Sequence, residues 1–274
     1  MKRQLTKEED LRKIQEQMDR LELPFYRIPV LNYTGQCADE DGACSYSEVI
    51  ARWLYDSFLT LDEMINFLLK NNHMRPERKF PSAPIHHKEA ITFTSGTGRN
   101  EENIAKRLFQ IEHFLYQGSL KMELIDYQVP INRIQHSTEG KADLVFVLQN
   151  QIVIGELKDE DSHETLLRAV VEAKSYQCRI ESEITAFQRY VSSYLPKHII
   201  DMETDKNGKL IQPAVFILRG KASQPWRDLE RILADEHSYL RKLIARWDVM
   251  IFEVVELNDT VNLQDREYGI VRVL

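Results

Sequence analysis

Asp143, Glu156 and Lys158 are two acids and a lysine spaced so that one site can contain all three. They lie in the stretch 141–158, where the apolar segments ADLVFVLQ and QIVIGEL flank the polar pair Gln149-Asn150. Two such segments around two polar residues predict a β-hairpin with a tight turn. In that register Asp143 lies directly opposite Glu156, and Lys158 shares their face because side chains alternate along a strand.

Charge compensation is the first requirement of this hairpin. The remaining positions on both faces are almost all apolar, so the strands are expected to be buried, and buried charges need partners. Carboxylate oxygens are the ligands that hard divalent cations prefer. The pattern therefore predicts a cation held at the end of the hairpin that carries Asp143 and Glu156.

The string Asp143 … Glu156-Leu157-Lys158 resembles the motif of the PD-(D/E)xK nuclease superfamily, which includes restriction enzymes and Holliday-junction resolvases. Ala142 stands where the family has a proline. The resemblance implies that Asp143, Glu156 and the carbonyl of Leu157 bind Mg²⁺ or Mn²⁺. It implies that Lys158 orients or deprotonates the attacking water and offsets charge in the transition state. The expected partner is nucleic acid, with DNA as the expected substrate.

The two helices next to the hairpin supply further candidates. Asn100 is a good N-cap for the first, and Glu101 lies on its inward stripe. Such an acid is either a favourable charge near a helix N-terminus or, as the resemblance implies, a metal-associated glutamate. On the second helix the resemblance implies Gln177 and Tyr176 as further candidates, since some nuclease subfamilies carry a glutamine or tyrosine there, and packing is the favoured role for Tyr176. The first stripe comprises Ile104, Leu108, Ile111 and Leu115.

The predicted fold class is α/β. Helix, three strands, helix and strand follow one another over roughly 91–219, with a first strand at 122–130 and Ser162 capping the second helix. This order resembles the restriction-endonuclease-like αβββαβ core, which implies a mixed central sheet flanked by helices. One long helix over 223–247, with Leu233 among its inward residues, and two more strands are expected to extend it.

The chain is expected to divide near the proline-rich segment 71–84. Residues 1–80 form an N-terminal helical region of unknown role, with capping boxes that start at Thr6, Ser45 and Thr60. Residues 85–274 form the nuclease-like domain. His86-His87 is expected to lie in an exposed loop.

Composition sets the broad class. Apolar residues make up 43% and charged residues 29% of 274 residues, which is ordinary for a globular protein. Three cysteines without a CxxC spacing argue against a disulfide framework and a zinc ribbon, and no run is long enough to span a membrane. A cytoplasmic location without membrane contact is therefore expected.

Charge alone does not decide between partners. The net charge of −7 is unfavourable for binding a polyanion, but local clusters can override it. The densest basic region predicts either a phosphate-binding surface or a solvated helix face. Its members are Arg219, Lys221, Arg227, Arg231, Arg241, Lys242 and Arg246.

Three function classes remain open from the sequence. The first is a metal-dependent nuclease, and the second is an inactive module of the same fold that binds nucleic acid or a protein. In the third, Lys158 forms an ordinary surface ion pair with Glu156 or Asp143. A homodimer is one assembly left open.

Overall fold

The structure, a computed structural model, describes residues 25–39, 42–58, 61–69, 91–93, 100–111, 113–116, 120–130, 140–148, 151–182, 184–194, 211–257 and 268–274, together with residues 9, 12 and 16. Some predicted features lie outside these residues: Thr6, Thr60, the segment 71–84, His86-His87 and the turn Gln149-Asn150.

Short elements make up the N-terminal part. Two 3-10 turns, Phe25–Arg27 and Pro29–Asn32, precede a hairpin of β1 (Gln36–Asp39) and β2 (Gly42–Ser45). Helices α1 (Tyr46–Ser57) and α2 (Leu61–Leu69) follow. The hydroxyl of Ser45 accepts a hydrogen bond from the Glu48 amide at 3.3 Å, which confirms Ser45 as an N-cap.

Strands and helices alternate in the rest of the described chain. In order they are α3 (Asn100–Ile111), β3 (His113–Tyr116), β4 (Leu120–Pro130), β5 (Lys141–Leu148), β6 (Gln151–Lys158), α4 (Leu166–Glu181), α5 (Ile184–Tyr194), β7 (Ile211–Leu218), α6 (Gln224–Ala234), α7 (Tyr239–Trp247), β8 (Met250–Glu256) and β9 (Tyr268–Arg272).

Strands β3 to β9 form one mixed sheet in chain order. Neighbours from β3 to β6 are antiparallel, as are β8 and β9, whereas β6–β7 and β7–β8 are parallel. The two edge strands of this sheet, β3 and β9, also contact each other, so the sheet curls. The protein is therefore α/β, with a mixed sheet flanked by helices.

Each face of the sheet has its own apolar core. Val145 and Ile154 lie on the face that packs against α4 and the N-terminal segment. Leu144 and Val153 lie on the opposite face, which packs against α3. Because both faces are covered, β5 and β6 are buried at nearly every position.

The predicted hairpin register is confirmed. Leu148 pairs with Gln151, and Leu144 pairs with Gly155. The strand predicted at 122–130 is also present, as β4. Alternating side chains and a two-residue connection determine this register, and both can be recognised in a sequence.

The helix predicted to continue to Leu115 ends earlier. α3 ends at Ile111, which is 38% exposed, and Leu115 lies in β3 opposite Lys121. The aromatic segment HFLY favours a strand, and Phe114 is buried against Phe146 with ring centroids 5.6 Å apart. Packing of an aromatic side chain on the sheet therefore ends the helical stripe.

Three further helix predictions were wrong in detail. The single helix expected over 223–247 is two helices, because Ser238 caps α7 by accepting from the Arg241 amide at 3.2 Å. Leu233, expected to face inward, is 40% exposed at the end of α6. Thr165 rather than Ser162 caps α4, through the Arg168 amide at 3.2 Å.

The described N-terminal residues share a core with the sheet. Phe25 and Ile50 belong to the same buried cluster as Leu166 of α4 and Leu243 of α7. Glu48 of α1 binds the start of α7, where its carboxylate accepts from the Tyr239 amide and the Ser238 hydroxyl, each at 2.7 Å. This region is thus an integral part of the packed structure.

Replacing Glu48 with alanine is expected to lower the free energy of unfolding by about 1.5–3 kcal/mol, because it removes charge-assisted bonds to Ser238, Tyr239 and Arg231. Urea denaturation measures this loss. Asp56→Ala is the matched control, since Asp56 forms an exposed i,i+4 pair with Arg52 on the same helix and its loss should cost less than about 0.5 kcal/mol. Equal losses in the two variants would contradict this role of Glu48.

Candidate functional site

The structure brings the three strand residues of the motif together. Asp143, Glu156 and Lys158 lie on the face of the sheet that packs against α4, as strand alternation from Val145 and Ile154 requires. Their exposed fractions are 8%, 5% and 3%. The expectation of one shared and buried face is confirmed.

Asp143 is held by two donors. The backbone N–H of Leu157 donates to Asp143 Oδ2 at 2.8 Å, and the side-chain amide of Gln128 donates to Oδ1. Gln128 has a φ of +50°, which is strained for a residue with a side chain. Such strain is often retained at functional sites, and here it accompanies the bond from Gln128 to Asp143.

Lys158 forms a buried double ion pair. Its Nζ lies 2.7 Å from Glu156 Oε1 and 2.6 Å from Glu164 Oε2. The pair with Glu156 predicted as an ordinary surface interaction is therefore formed, but away from the surface. Because each buried charge needs compensation, these groups depend on one another.

Helix α4 and the turn before it contribute two acids. Carboxylate oxygens of Glu156, Glu164 and Glu172 lie within 4.8 Å of one another. Glu172 accepts a hydrogen bond from the Tyr176 hydroxyl at 2.6 Å, and Glu164 pairs with Arg168 at 3.1 Å. Three carboxylates thus lie close together on the face of the sheet that packs against α4.

Glu101 approaches from the start of α3. The side chain of Asn100 bonds to Asp159, the residue after Lys158, and this contact ties the helix start to the end of β6. Glu101 interacts electrostatically with Lys158 and Asp143. Its predicted place beside the motif is consistent with these interactions, although α3 packs on the opposite face of the sheet.

Burial dominates the protonation of the strand acids. It raises the pKa of Asp143 to about 6, against the opposing effects of Lys158 and the Leu157 amide. It also raises the pKa of Glu156 well above the usual range, and the charges of Asp143 and Glu172 add to the shift. Two acids side by side in a buried site therefore resist ionisation.

The lysine and the helix glutamate shift upward for different reasons. Burial alone would lower the pKa of Lys158, but Glu156, Glu101 and other carboxylates outweigh it and raise that pKa well above its usual range. Burial raises the pKa of Glu101 to about 7, partly opposed by Lys158. At neutral pH Lys158 is charged, and Glu101 is near its titration midpoint.

Residues of the N-terminal segment contact the elements that carry the site. The Tyr26 hydroxyl accepts from the Gly140 amide at 3.1 Å, and its ring packs edge-on against Tyr176. A side chain at Gly140 would collide with the Tyr176 hydroxyl, since a Cβ there would lie 1.9 Å from it. Asn32 accepts from the backbone amide of Thr165, the cap of α4, at 3.2 Å.

Gln177 has a different position from the one suggested by the sequence. Its amide donates to the carbonyl of Ile211 at 2.9 Å and to Glu181 at 3.0 Å, and it accepts from Lys174 at 2.6 Å. These bonds tie α4 to the start of β7 and do not involve the acids around Lys158. Tyr176, expected to pack, is the residue that contacts Glu172.

Several members of the basic set are engaged within the chain. Arg219 pairs with Glu253 at 2.8 Å and stacks over Trp226. Arg231 pairs with Glu48 at 3.0 Å, and Arg246 donates to the backbone carbonyls of Tyr55, in the last turn of α1, and of Phe58, just after it. These contacts favour a structural role for these three arginines.

Sequence reasoning missed Glu164 and Glu172. Glu172 interrupts an apolar run, VVEAKSYQ, four residues before Tyr176, and this spacing places both on one side of a helix. An acid and a tyrosine at i, i+4 within such a run was the available signal. Glu164 lies in the polar turn before the helix, where the sequence gives no comparable indication.

Comparisons with protein-family models, curated proteins and solved structures found no match to this chain. Among the described residues, no helix has the length and apolar character needed to cross a membrane.

Proposed function

We propose that the protein is a metal-dependent nuclease that hydrolyses phosphodiester bonds, with DNA as its substrate. The observation that carries the proposal is the buried grouping of Asp143, Glu156 and Lys158 on one face of two paired strands. The same grouping is implied by the resemblance to the PD-(D/E)xK superfamily. A restriction-endonuclease-like core, running α3, β4, β5, β6, α4 and β7, is part of this proposal.

The charges around Lys158 support a cation. Five carboxyl groups interact there, those of Glu101, Asp143, Glu156, Glu164 and Glu172, with Lys158 and Arg168 as the compensating cations. Glu156 Oε2 is buried and has no hydrogen-bond partner among the described residues. An acid excess with an unpartnered buried oxygen suits a hard divalent ion bound by oxygen ligands.

Asp143 and Glu156, with the carbonyl of Leu157, are the proposed ligands of Mg²⁺ or Mn²⁺. When bound, such an ion would supply Lewis-acid chemistry at the phosphoryl oxygen and would make water a stronger nucleophile. Gln128 and the Leu157 amide hold the Asp143 carboxylate in a fixed orientation. A carboxylate fixed in this way loses little further freedom when it becomes a ligand.

Lys158 is proposed as the group that stabilises the transition state. Its pKa lies well above the usual range, so the ammonium is a donor and a positive charge rather than a base. A buried ammonium acts in a low effective dielectric, where its attraction for the charge that develops on phosphate is strong.

Glu101 is proposed as the general base. Its pKa of about 7 is near the expected working pH, where a carboxylate can accept a proton most effectively. The proton of water passes to Glu101 while the water oxygen attacks phosphorus and the bond to the leaving oxygen breaks. This assignment replaces the alternative in which Lys158 deprotonates the water.

A substrate panel tests the proposed function. Single- and double-stranded DNA and RNA of one sequence are incubated with parent protein and with Asp143→Asn, in EDTA, Mg²⁺ or Mn²⁺. We expect the parent to cleave DNA only with metal, and Asp143→Asn to lose most of that activity. Metal-independent binding without cleavage of any substrate would instead identify an inactive module of the same fold.

A further inference from the structure

Helix α4 and its leading turn add acids that the strand motif does not contain. Oxygens of Glu156, Glu164 and Glu172 lie within 4.8 Å of one another, and all three residues are buried or partly buried. Asp143 is not a member of this group, and both of its carboxylate oxygens accept hydrogen bonds from Gln128 and Leu157.

An unpartnered oxygen belongs to this group. Glu156 is 5% exposed, and its Oε1 accepts from Lys158, whereas Oε2 has no partner in the described part of the chain. Leaving a buried carboxylate oxygen without a donor or cation is costly, so its position beside two further acids indicates a missing positive charge.

We propose that Glu156, Glu164 and Glu172 form a divalent-cation site distinct from the Asp143–Glu156 pair, and that Lys158 is the counter-ion which this cation displaces. The three ligand groups are all carboxylates, so the cation is a hard one such as Mg²⁺, Mn²⁺ or Ca²⁺ rather than a thiolate- or imidazole-preferring metal. Binding of the cation does not depend on the proposed nuclease function; only a role of this cation in DNA cleavage rests on that function.

Lys158 is the natural competitor of this cation. Its ammonium lies 2.7 Å from Glu156 and 2.6 Å from Glu164, two of the three proposed ligands. A divalent ion offers these oxygens twice the charge and would release the lysine from them. Removal of the lysine charge is therefore expected to tighten cation binding.

Electron paramagnetic resonance of free Mn²⁺ measures this binding without substrate. We expect Glu164→Gln and Glu172→Gln each to weaken Mn²⁺ binding by about tenfold or more, and Lys158→Met to strengthen it by about tenfold. Glu236→Gln is the matched control, because Glu236 is 81% exposed and outside the cluster, and it should bind as the parent does.

Two outcomes would overturn the inference. One is parent-like Mn²⁺ affinity in Glu164→Gln and Glu172→Gln with loss of binding in Asp143→Asn, which would assign the cation to the strand pair. The other is weaker binding in Lys158→Met. Misfolding would weaken Mn²⁺ binding, so it cannot explain tighter binding by Lys158→Met. For Glu164→Gln and Glu172→Gln, circular dichroism checks that the fold is retained. Mn²⁺ binding without DNA cleavage would refute the nuclease proposal and leave this site standing.

Discussion

Lys158→Met is expected to lower the single-turnover rate of DNA cleavage by about 10²–10⁴-fold, the usual effect of removing one preorganised group that stabilises developing charge. The variant keeps an unbranched side chain as far as the ε position, with sulfur in place of one methylene, and removes the ammonium. Because the carboxylates around it remain, Mn²⁺ affinity should not fall. Loss of cleavage with retained or tighter metal binding separates transition-state stabilisation from metal binding.

Lys141→Met is the matched control for this experiment. Lys141 begins β5, two residues before Asp143, but it is exposed, whereas Lys158 is buried. We expect Lys141→Met to cleave DNA at nearly the parent rate. Parent-like cleavage by Lys158→Met would show that the buried ammonium is not part of the chemistry.

The metal-free protein is expected to become less stable as pH rises from about 5 to about 7.5. A carboxyl group whose pKa is higher in the folded state stabilises the fold while it is protonated, and this contribution is lost as pH rises through the folded pKa. Burial raises the pKa of Asp143 to about 6 and that of Glu101 to about 7, so both lose the remainder of their contribution in this range. For Asp143 alone the loss between pH 5 and pH 7.5 is about 1.5 kcal/mol, or roughly 3–6 °C in Tm, because the rest is lost between its unfolded pKa near 4 and pH 5.

Glu164 affects the pH dependence of stability in the opposite direction, but at lower pH. Burial alone would raise its pKa, but Lys158 and Arg168 outweigh this effect and lower it. Its contribution is therefore present above about pH 4.5 and is lost only on further acidification. The experiment is accordingly confined to the range above about pH 5.

Melting curves in EDTA and in saturating Mn²⁺ measure this dependence. Mn²⁺ should flatten the decline, because a bound cation compensates the ionised carboxylates and stabilises the folded form that binds it. Glu172→Gln should also flatten it in EDTA, because the Glu172 carboxylate adds to the raised pKa of Asp143, whereas Glu236→Gln should leave the decline unchanged. A Tm that rises with pH in metal-free parent protein would contradict the electrostatic account.

The strand half of the site could be predicted because strand geometry is simple. A period of two and a two-residue turn determine which residues face one another, so Asp143, Glu156 and Lys158 could be placed on one face from the sequence. Glu101 could be placed near them only through the resemblance, since α3 covers the other face of the sheet and reaches the site at its first turn.

The part of the site contributed by α4, above all Glu172, could not be predicted because this helix is buried on nearly every side. Residues from Leu166 to Ile180 are buried apart from Arg168, so an apolar stripe does not indicate which side faces the strands. Gln177 was a candidate through the resemblance, whereas the structure places Glu172 beside Glu156 and Glu164, and Tyr176 donates to Glu172. Element ends were missed for a similar reason, because Phe114 packing on the sheet ends α3 through contacts distant in sequence.

The most direct test of the central claim is single-turnover cleavage of end-labelled DNA by parent protein and Glu156→Gln, purified in parallel and assayed with Mn²⁺ and with EDTA. Glu156 belongs to both proposed ligand sets, and glutamine preserves its shape while removing its charge. We expect rapid cleavage by the parent with Mn²⁺, none with EDTA, and a loss of about 10²-fold or more in Glu156→Gln. Equal cleavage by parent and Glu156→Gln, or no cleavage by the parent under any of these conditions, would contradict it.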